Sequence, residues 1–213
     1  MHIFSSQDLL KEACTKCKAC LLHTFRTGPP VVFKGDITSK VALVGLGPGL
    51  VEERSGRPFE GPAGDLLEDW LGWIGKDIKN FYVSNVTHCR FTAPKGSGKQ
   101  NLTPDPDMLH ICADRWLSQE IGYVNPNTVI VVGGAAAVGM RLIEPGTSIT
   151  PLLGSSKQVD LYGRERTIFF LRHPASLLYA RPNDPSKWAT NQKYQALRLE
   201  YKQCFTKLKE LIS

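Results

Sequence analysis

Cysteines are the residues of this 213-residue sequence whose type and spacing most directly suggest chemistry. Three fall in the short segment CTKCKAC and two stand alone further on; these five are Cys14, Cys17, Cys20, Cys89 and Cys112. Thiolates hold soft metals, so four of them suit tetrahedral zinc or an iron–sulfur cluster. A zinc ribbon needs two close pairs, and the wide spacing here favours a cluster, with zinc and inert thiols as the alternatives. Cys204 is predicted to be a core residue.

A second group of unusual residues lies where two apolar runs end in special loops. Residues 41–64 read VALVGLGPGLVEERSGRPFEGPAG, an apolar run that enters a Gly/Pro turn and continues to Phe59. The run at 167–171, TIFFL, is followed by RHPASLL, which contains His173. A backbone with few side chains at the end of a buried strand lets a ligand approach closely. We therefore predict one composite ligand site formed by both loops.

The surrounding pattern predicts alternating strands and helices that position these loops. Runs rich in Val, Ile, Phe and Leu predict strands at 40–44, 80–86, 128–132 and 166–171. Apolar residues three and four apart predict helices at 7–16, 65–74, 107–121, 135–142 and 191–212. We expect a single domain over residues 1–213, a three-layer α/β/α sandwich with a mostly parallel four-stranded sheet. Ligands bind such sheets outside the carboxyl ends of the strands.

Composition narrows the class of protein and its partners. The hydrophobic content of 42 % can form a sizeable core, and 26 basic against 20 acidic residues give a net charge of +6. This charge favours a polyanionic partner, the alternative being a merely basic soluble protein. No apolar run is long enough for a membrane span, and the first residues lack an export signal. We expect an intracellular monomer with no membrane partner. Two basic Pro/Gly-rich stretches, 90–107 and 179–189, are predicted to be long loops.

Four separated motifs, in order along the chain, resemble those of the iron–sulfur (family 4) uracil-DNA glycosylases. They are GLGPGLVEERSGRPFEGPAGDLL, YVSNVTHCR, NLTPDPDMLHICADRWL and RHPASLLYAR. The second resembles the family's strand that ends in Asn shortly before a cluster cysteine, and the last resembles its HPxxLL motif. The resemblance implies a hydrolase that flips uracil out of DNA and cleaves its N-glycosidic bond, starting base excision repair.

The resemblance also implies a 4Fe-4S cluster. Its ligands would be the four cysteines Cys17, Cys20, Cys89 and Cys112. In the family, Leu and Arg follow the second cysteine by two and six residues, as Leu22 and Arg26 follow Cys20 here, so Cys14 would be spare. The cluster's expected role is structural, because tying distant segments together restricts the unfolded chain.

The same resemblance implies roles for residues in the two loops. Phe59 would stack on the flipped base, and Asn85 would read its edge, because one amide both donates and accepts hydrogen bonds. His173 would donate a hydrogen bond to O2 of the departing base as negative charge develops there. The backbone N–H groups of Gly47 and Gly49 would hold the base or a neighbouring phosphate. Gly45 and Leu46 would also belong to the base-binding loop. A loop entering the minor groove and contacting the backbone would comprise Ser176, Leu177, Leu178, Arg181 and Lys187.

Two departures from the family pattern leave the substrate open. Leu46 stands where the family has a glutamate, and leucine cannot polarise water or stabilise a cationic sugar. Glu52 and Glu53 are the remaining carboxylates that could do so. Glu60 replaces a small apolar residue beside Phe59, and either alters base choice or points to solvent. The alternatives are excision of another or modified base, and DNA binding without excision. A flavodoxin-like phosphate site is disfavoured, because acids follow GLGPG.

Overall fold

The computed structural model describes residues 3–92 and 104–213. Six strands form one sheet; they are β1 (Lys34–Gly35), β2 (Val41–Gly45), β3 (Tyr82–Asn85), β4 (Thr128–Val132), β5 (Ser156–Asp160) and β6 (Glu165–Leu171). Their order across the sheet is β1-β3-β2-β4-β6-β5. The four central strands are parallel, and β1 and β5 pair antiparallel at the two edges. The predicted mostly parallel sheet is confirmed, with two more strands than the predicted four.

The helices connect and cover these strands. They are α1 (Gln7–Thr15), α2 (Leu22–Phe25), α3 (Leu50–Ser55), α4 (Pro62–Trp73), α5 (Pro106–Cys112), α6 (Ser118–Val124), α7 (Gly134–Gly139), α8 (Ala175–Ala180) and α9 (Gln192–Leu211). A π-helical turn, Ala113–Leu117, joins α5 to α6, so the helix predicted at 107–121 is continuous but locally widened. Such π turns often lie at functional sites. This one follows Cys112 directly.

Alternation along the central strands divides the core into two layers. In β4, Val129 and Val131 pack with α1, α5, α6 and α7 on one face of the sheet. Ile130 and Val132 pack with α4, α8 and α9 on the other face. Successive side chains of a strand point to opposite faces, so strands buried on both sides become continuously apolar. The three-layer α/β/α architecture is therefore confirmed.

The elements absent from the prediction are short or polar. β1 has two residues, and β5, with the sequence SKQVD, has mostly exposed side chains. Neither gives the apolar run that marks a central strand. Helix α3 starts directly behind the GLGPG loop, so that loop does open a helix, although its first turn is acidic. Of the predicted loop at 90–107, residues 93–103 lie outside the described part of the chain.

Candidate functional site

A cleft of about 760 Å³ opens at the carboxyl ends of the four parallel strands. Its walls come from the loops that follow all four strands and from the segment before α4. Residues that line it include 46–52 after β2, Asn85, Thr87 and Cys89 after β3, 132–136 after β4, His173, Ala175, Leu178 and Tyr179 after β6, and Phe59 before α4. We call it the strand-end cleft. The composite site predicted from the loops after β2 and β6 is one continuous space.

Asn85 and Phe59 lie side by side in the strand-end cleft against the backbone of Gly45. A methyl group on Gly45 would lie 2.6 Å from Asn85 Oδ1 and 2.7 Å from Phe59 Cζ. Asn85 is only 4 % exposed, yet its side-chain amide bonds to no described residue. Buried amides normally have hydrogen-bond partners. An unpaired amide beside an aromatic ring in a cleft is therefore suited to a planar polar ligand.

Phe59 is held in this position by its backbone. Its φ is 54°, in the left-handed region that non-glycine residues seldom adopt. A Cβ on Gly64 would lie 2.2 Å from the Phe59 carbonyl oxygen, so the first turn of α4 packs directly on this strained residue. The same carbonyl accepts a hydrogen bond from Lys34 Nζ at 3.1 Å. Strain of this kind costs about 1–3 kcal/mol and is found at ligand sites.

His173 enters the strand-end cleft in a defined tautomer. The backbone N–H of Ala175 donates to His173 Nδ1 at 3.2 Å, which leaves the proton of the neutral ring on Nε2. Burial lowers the pKa of His173, and the Glu52 carboxylate nearby raises it less. A Cβ on Gly133 would lie 3.1 Å from His173 Cβ, so the loop after β4 packs against the imidazole. His173 thus offers a neutral N–H donor.

The adjacent acids Glu52 and Glu53 have different surroundings. Glu52 lines the strand-end cleft and accepts hydrogen bonds from the N–H groups of Gly49, at 3.0 Å, and Gly61, at 3.2 Å. It thereby joins the loop after β2 to the loop that carries Phe59. The Gly49 N–H, predicted to hold a base or phosphate, is already used by this carboxylate.

Glu53 is buried away from the lining of the strand-end cleft. Its carboxylate accepts bonds from the Thr27 hydroxyl and N–H, from the Gly28 N–H, and from Arg90 Nη1 at 3.2 Å. Burial alone would raise the pKa of Glu53, but these hydrogen bonds outweigh it and hold the pKa below its ordinary value. The predicted sugar-facing role does not agree with this position. Glu53 instead ties the segment after α2 to α3.

Leu46, Gly47 and Thr87 form the wall between β2 and β3. Leu46 lines the strand-end cleft, and its carbonyl accepts the Thr87 N–H at 2.9 Å. A Cβ on Gly47 would lie 2.4 Å from Thr87 Oγ1, so only glycine fits there. Thr87, which the sequence reasoning overlooked, therefore sets how closely the two loops approach.

Residues after β6 divide between the core and the strand-end cleft. Leu177, predicted to enter the minor groove, is 3 % exposed and packs in the core with α4 and α9. That prediction is corrected: a side chain buried against two helices cannot reach DNA. Leu178 does line the cleft, whereas Ser176 serves the local turn by donating its N–H to the His173 carbonyl. Tyr179 also lines the cleft and is 90 % exposed.

The predicted DNA-backbone cations follow in the next loop. Arg181 lies over the ring of Trp188, 5.1 Å from its centroid, and Lys187 is exposed on a turn that starts at Pro185. Trp188 in turn donates its Nε1–H to the carbonyl of Pro182. Both cations are exposed, and Lys187 Nζ lies 3.9 Å from the Asp184 carboxylate.

Glu60 is neither in the strand-end cleft nor free in solvent. Its carboxylate pairs with Lys34 at 3.1 Å and with Arg57 at 3.0 Å. Burial alone would raise the pKa of Glu60, but these two cations hold it below the ordinary value. The negative charge of Glu60 is thus compensated by these two cations. This departure from the family pattern does not alter the lining of the cleft.

Five cysteines converge on a small cavity on the other side of the β3 loop. This thiol cavity is lined by Cys14, Cys17, Cys20, Cys89 and Cys112, together with His23, His88, Leu22 and Trp116. All five are free thiols, contributed by α1, the turn after it, the loop after β3 and the end of α5. Burial raises the pKa of the Cys89 thiol to about 11 and that of Cys20 in the same direction. Deprotonated cysteines without a bound metal are therefore disfavoured in the thiol cavity.

The donor set of the thiol cavity fits a soft, thiolate-bound centre. Five sulfurs line it, more than the four thiolates that an iron–sulfur cluster requires. Among the residues described, no three His, Cys, Asp or Glu side chains are arranged to hold a single metal ion. Cys14, expected to be spare, also borders this cavity. Cys204 is a core residue, as predicted, and packs in the layer on the other face of the sheet.

A buried polar network lies next to the thiol cavity and includes His88, which lines that cavity. Glu120 is fully buried and accepts hydrogen bonds from the Tyr82 hydroxyl at 2.5 Å and the Ser84 hydroxyl at 2.8 Å. His88 Nε2 lies 2.5 Å from the same carboxylate. Burial alone would raise the pKa of Glu120, but His88 and the two hydroxyls hold it below the ordinary value.

Comparison with known proteins bears on both sites. The family model of the uracil DNA glycosylase superfamily matches residues 32–198, which include every loop of the strand-end cleft. The chain belongs to the uracil DNA glycosylase superfamily. This confirms the resemblance inferred from the four motifs.

Three relatives are similar to this chain over most of their length. The chain is similar to the type-4 uracil-DNA glycosylase of Thermotoga maritima, with 36 % identity over 177 residues, covering 83 % of this chain and 85 % of the relative. It is 30 % identical to the enzyme of that name from Archaeoglobus fulgidus over 97 % of this chain and 93 % of the relative. The one from Sulfurisphaera tokodaii is also 30 % identical, over 84 % and 78 %.

One loop of the site was not predicted from the sequence. The segment Gly133, Gly134 and Ala135 follows β4 and lines the strand-end cleft beside His173. A pair of glycines directly after an apolar strand was the available signal, the same one that marked the loop after β2.

No helix in the described part of the chain is both long and apolar enough to cross a membrane.

Proposed function

We propose that this protein is a uracil-DNA glycosylase that hydrolyses the N-glycosidic bond of a flipped uracil and so starts base excision repair. The observation that supports it best is the unpaired, nearly buried amide of Asn85 beside the ring of Phe59 in the cleft that also receives His173. Enzymes that act on a base take it out of the stack and hold it by its edge against an aromatic ring. Membership in the superfamily and the names of the relatives agree with this substrate.

In the proposed complex, each side chain has one task. Phe59 stacks on the pyrimidine, and the Asn85 amide accepts from its N3–H and donates to its O4. Gly45 and Gly47 leave room for the base edge, since any side chain there would collide with Asn85 or Thr87. Leu46 contributes a wall but no charge.

The proposed chemistry uses His173 as a neutral donor. The bond between C1′ of the sugar and N1 of the base breaks with its electron pair going to the base, and negative charge grows on O2. The Nε2–H of His173 donates to O2 and stabilises that charge. Water then bonds to C1′, and the proton that it loses passes through solvent to the uracil anion, which leaves as neutral uracil. Glu52, kept in the cleft by two N–H groups, favours the positive charge that develops on the sugar.

DNA is proposed to approach along the basic loop beside the strand-end cleft. Arg181 and Lys187 contact phosphates there, consistent with the net charge of +6. Leu178 borders the mouth of the cleft and fills part of the space that the flipped base leaves in the duplex. We also propose that the protein acts as a monomer, which sedimentation of the purified protein checks, and that it works inside the cell.

We further propose that the thiol cavity holds a 4Fe-4S cluster through Cys17, Cys20, Cys89 and Cys112. When bound, the cluster ties the N-terminal segment and the β3 loop to α5 and has a structural role. Burial of the free thiols supports this, because an iron centre stabilises thiolates that the cavity otherwise disfavours. Brown protein with bound iron is the expected result of purification. Colourless protein that contains zinc would overturn this assignment.

One assay separates the candidate activities. Purified protein is incubated with single-stranded oligonucleotides that carry uracil, hypoxanthine, xanthine or a bulky modified cytosine, and abasic sites are cleaved with alkali. Strand cleavage at uracil supports the proposal. Cleavage only at another base moves the substrate to that base, and salt-sensitive binding without cleavage leaves a DNA-binding protein. The His173→Ala protein is the matched control for contaminating glycosylase activity.

A further inference from the structure

Tyr179 is an aromatic residue at the mouth of the strand-end cleft that no task above uses. It lies on α8, the short helix that begins two residues after His173, and it borders the cleft. Three successive residues of that helix have distinct surroundings: Leu177 is buried in the core, Leu178 faces the cleft, and Tyr179 is 90 % exposed. Leu177 therefore anchors the helix and fixes where the tyrosine ring is presented.

The Tyr179 side chain does not contribute to the stability of the fold through any contact described. Its hydroxyl makes no hydrogen bond to the described residues, and its ring stacks on none of them. A lone exposed aromatic residue needs no explanation by exposure alone. What distinguishes Tyr179 is its position, between the cleft that would take one base and the loop whose cations would follow the phosphates.

We propose that Tyr179 stacks on the base next to the flipped nucleotide and makes excision depend on the identity of that neighbour. This inference rests on the proposed glycosylase function. When one base leaves the stack and enters the cleft, the face of its neighbour is exposed at the rim. A leucine there would only exclude water, whereas a tyrosine ring offers a flat surface of the kind on which bases stack.

The predicted consequence is a preference for purine neighbours. Base–aromatic stacking tolerates every base, but a larger ring system gains more from it. Uracil flanked by purines should be excised, at subsaturating enzyme, about 3- to 10-fold more efficiently than uracil flanked by pyrimidines, because stacking strength gives such surfaces a modest preference. Replacing Tyr179 by leucine keeps an apolar side chain at the rim and removes the flat ring. The preference should then fall to nearly equal rates.

The test compares Tyr179→Leu, Tyr179→Phe and unchanged protein on single-stranded oligonucleotides with purines or pyrimidines on either side of uracil. Tyr179→Phe should keep the preference, since it keeps the ring. Leu199→Ala, an exposed apolar residue of α9 outside the cleft, is the matched control and should behave like the unchanged protein. A purine preference that is the same in Tyr179→Leu as in the unchanged protein would overturn the proposal, as would the absence of any preference in the unchanged protein.

A second measurement does not depend on excision. Oligonucleotides carrying 2-aminopurine beside a tetrahydrofuran abasic-site analogue are titrated with protein, and the fluorescence of the bound complex is recorded. Stacking on Tyr179 should quench the fluorophore in the unchanged and Tyr179→Phe proteins, and Tyr179→Leu should relieve the quenching. Equal fluorescence in all three complexes would overturn the inference. If the unchanged protein excises no uracil, the proposed function fails, while this titration still decides the stacking role.

Discussion

The hydroxyl of Tyr201 donates a 2.6 Å hydrogen bond to the backbone carbonyl of His173 and lies 3.1 Å from the carbonyl of Arg172. Arg172 itself pairs through two nitrogens with Glu200, the preceding residue of α9. The last helix thus holds the loop after β6 from behind the strand-end cleft. It orients the imidazole without touching the space where a base would sit.

Replacing Tyr201 by phenylalanine is expected to reduce kcat about 10-fold with little change in KM, because small displacements of a positioned group are costly. The free energy of unfolding should fall by about 1 kcal/mol, the contribution of one hydrogen bond. Single-turnover excision and thermal denaturation measure the two effects. Tyr194→Phe is the control, since that hydroxyl on the same helix bonds to no described residue. An unaltered kcat in Tyr201→Phe would contradict the positioning role.

Asn85→Ala should lower kcat/KM for uracil by about 100-fold or more, because both the donor and the acceptor for the base edge are lost. The fold should persist, since the amide bonds to no described residue. Circular dichroism and the glycosylase assay test the two statements. Asn85→Asp, which keeps the shape and an acceptor but no donor, should also be impaired. Normal excision by Asn85→Ala would remove Asn85 from the site.

The rate of excision should fall as the pH is lowered beneath the ordinary histidine pKa of about 6.5. Burial lowers the pKa of His173 in the fold, so the ring is neutral at and above that pH. Protonation of Nδ1 removes the acceptor for the Ala175 N–H and disturbs the loop. The unfolded chain takes up this proton first, so stability is also lost as the pH falls. A pH profile of single-turnover rates for His173→Gln should lack this acidic limb; an identical limb would assign it to another group.

The two neighbouring acids should respond differently to the same change. Glu52→Gln should lower kcat about 10- to 100-fold, because it removes negative charge beside the sugar. It should also cost about 1 kcal/mol of unfolding free energy, because the amide can accept only one of the two N–H bonds from Gly49 and Gly61. Glu53→Gln should cost about 3–5 kcal/mol of unfolding free energy, because it removes the negative charge from a buried ion pair with Arg90. Denaturant titration and excision kinetics on both proteins make the comparison. The reverse pattern would place Glu53, not Glu52, at the reaction centre.

Removal of a cluster ligand should be visible without any substrate. Cys89→Ser is expected to abolish the brown colour and bound iron and to lower solubility, because the β3 loop loses its tie to α1 and α5. Cys204→Ser, in the opposite core layer, should keep the brown colour and the bound iron. Cys14→Ser separates the spare cysteine from the ligands, and retained iron is the expected result. Loss of iron from that protein would make Cys14 a ligand.

The sequence predicted the central strands well because burial on both faces makes them continuously apolar. The edge strand β5 was missed because its residues face solvent, and the loop at Gly133 was missed because it carries no reactive side chain. Motif resemblance located Phe59, Asn85 and His173, which the structure brings to one cleft. That the chain forms a single domain stays a prediction.

Side-chain direction was harder to predict than position along the chain. Leu177 and Leu178 are adjacent in the motif, yet one packs in the core and the other faces the cleft, a distinction that depends on the rotation of α8. Glu52 and Glu53 differ for the same reason. Consecutive helical residues point about 100° apart, and the sequence of so short a helix does not fix its rotation.

The close fit at Gly45 has a consequence for natural variation. One added methyl group there would collide at once with the oxygen of Asn85 and the ring of Phe59. Replacing Gly45 by alanine adds only one methyl group, but it would narrow the strand-end cleft. The enzyme would stay folded and could not admit a nucleobase. Among related proteins of the superfamily, those with alanine at the position of Gly45 should therefore lack excision activity.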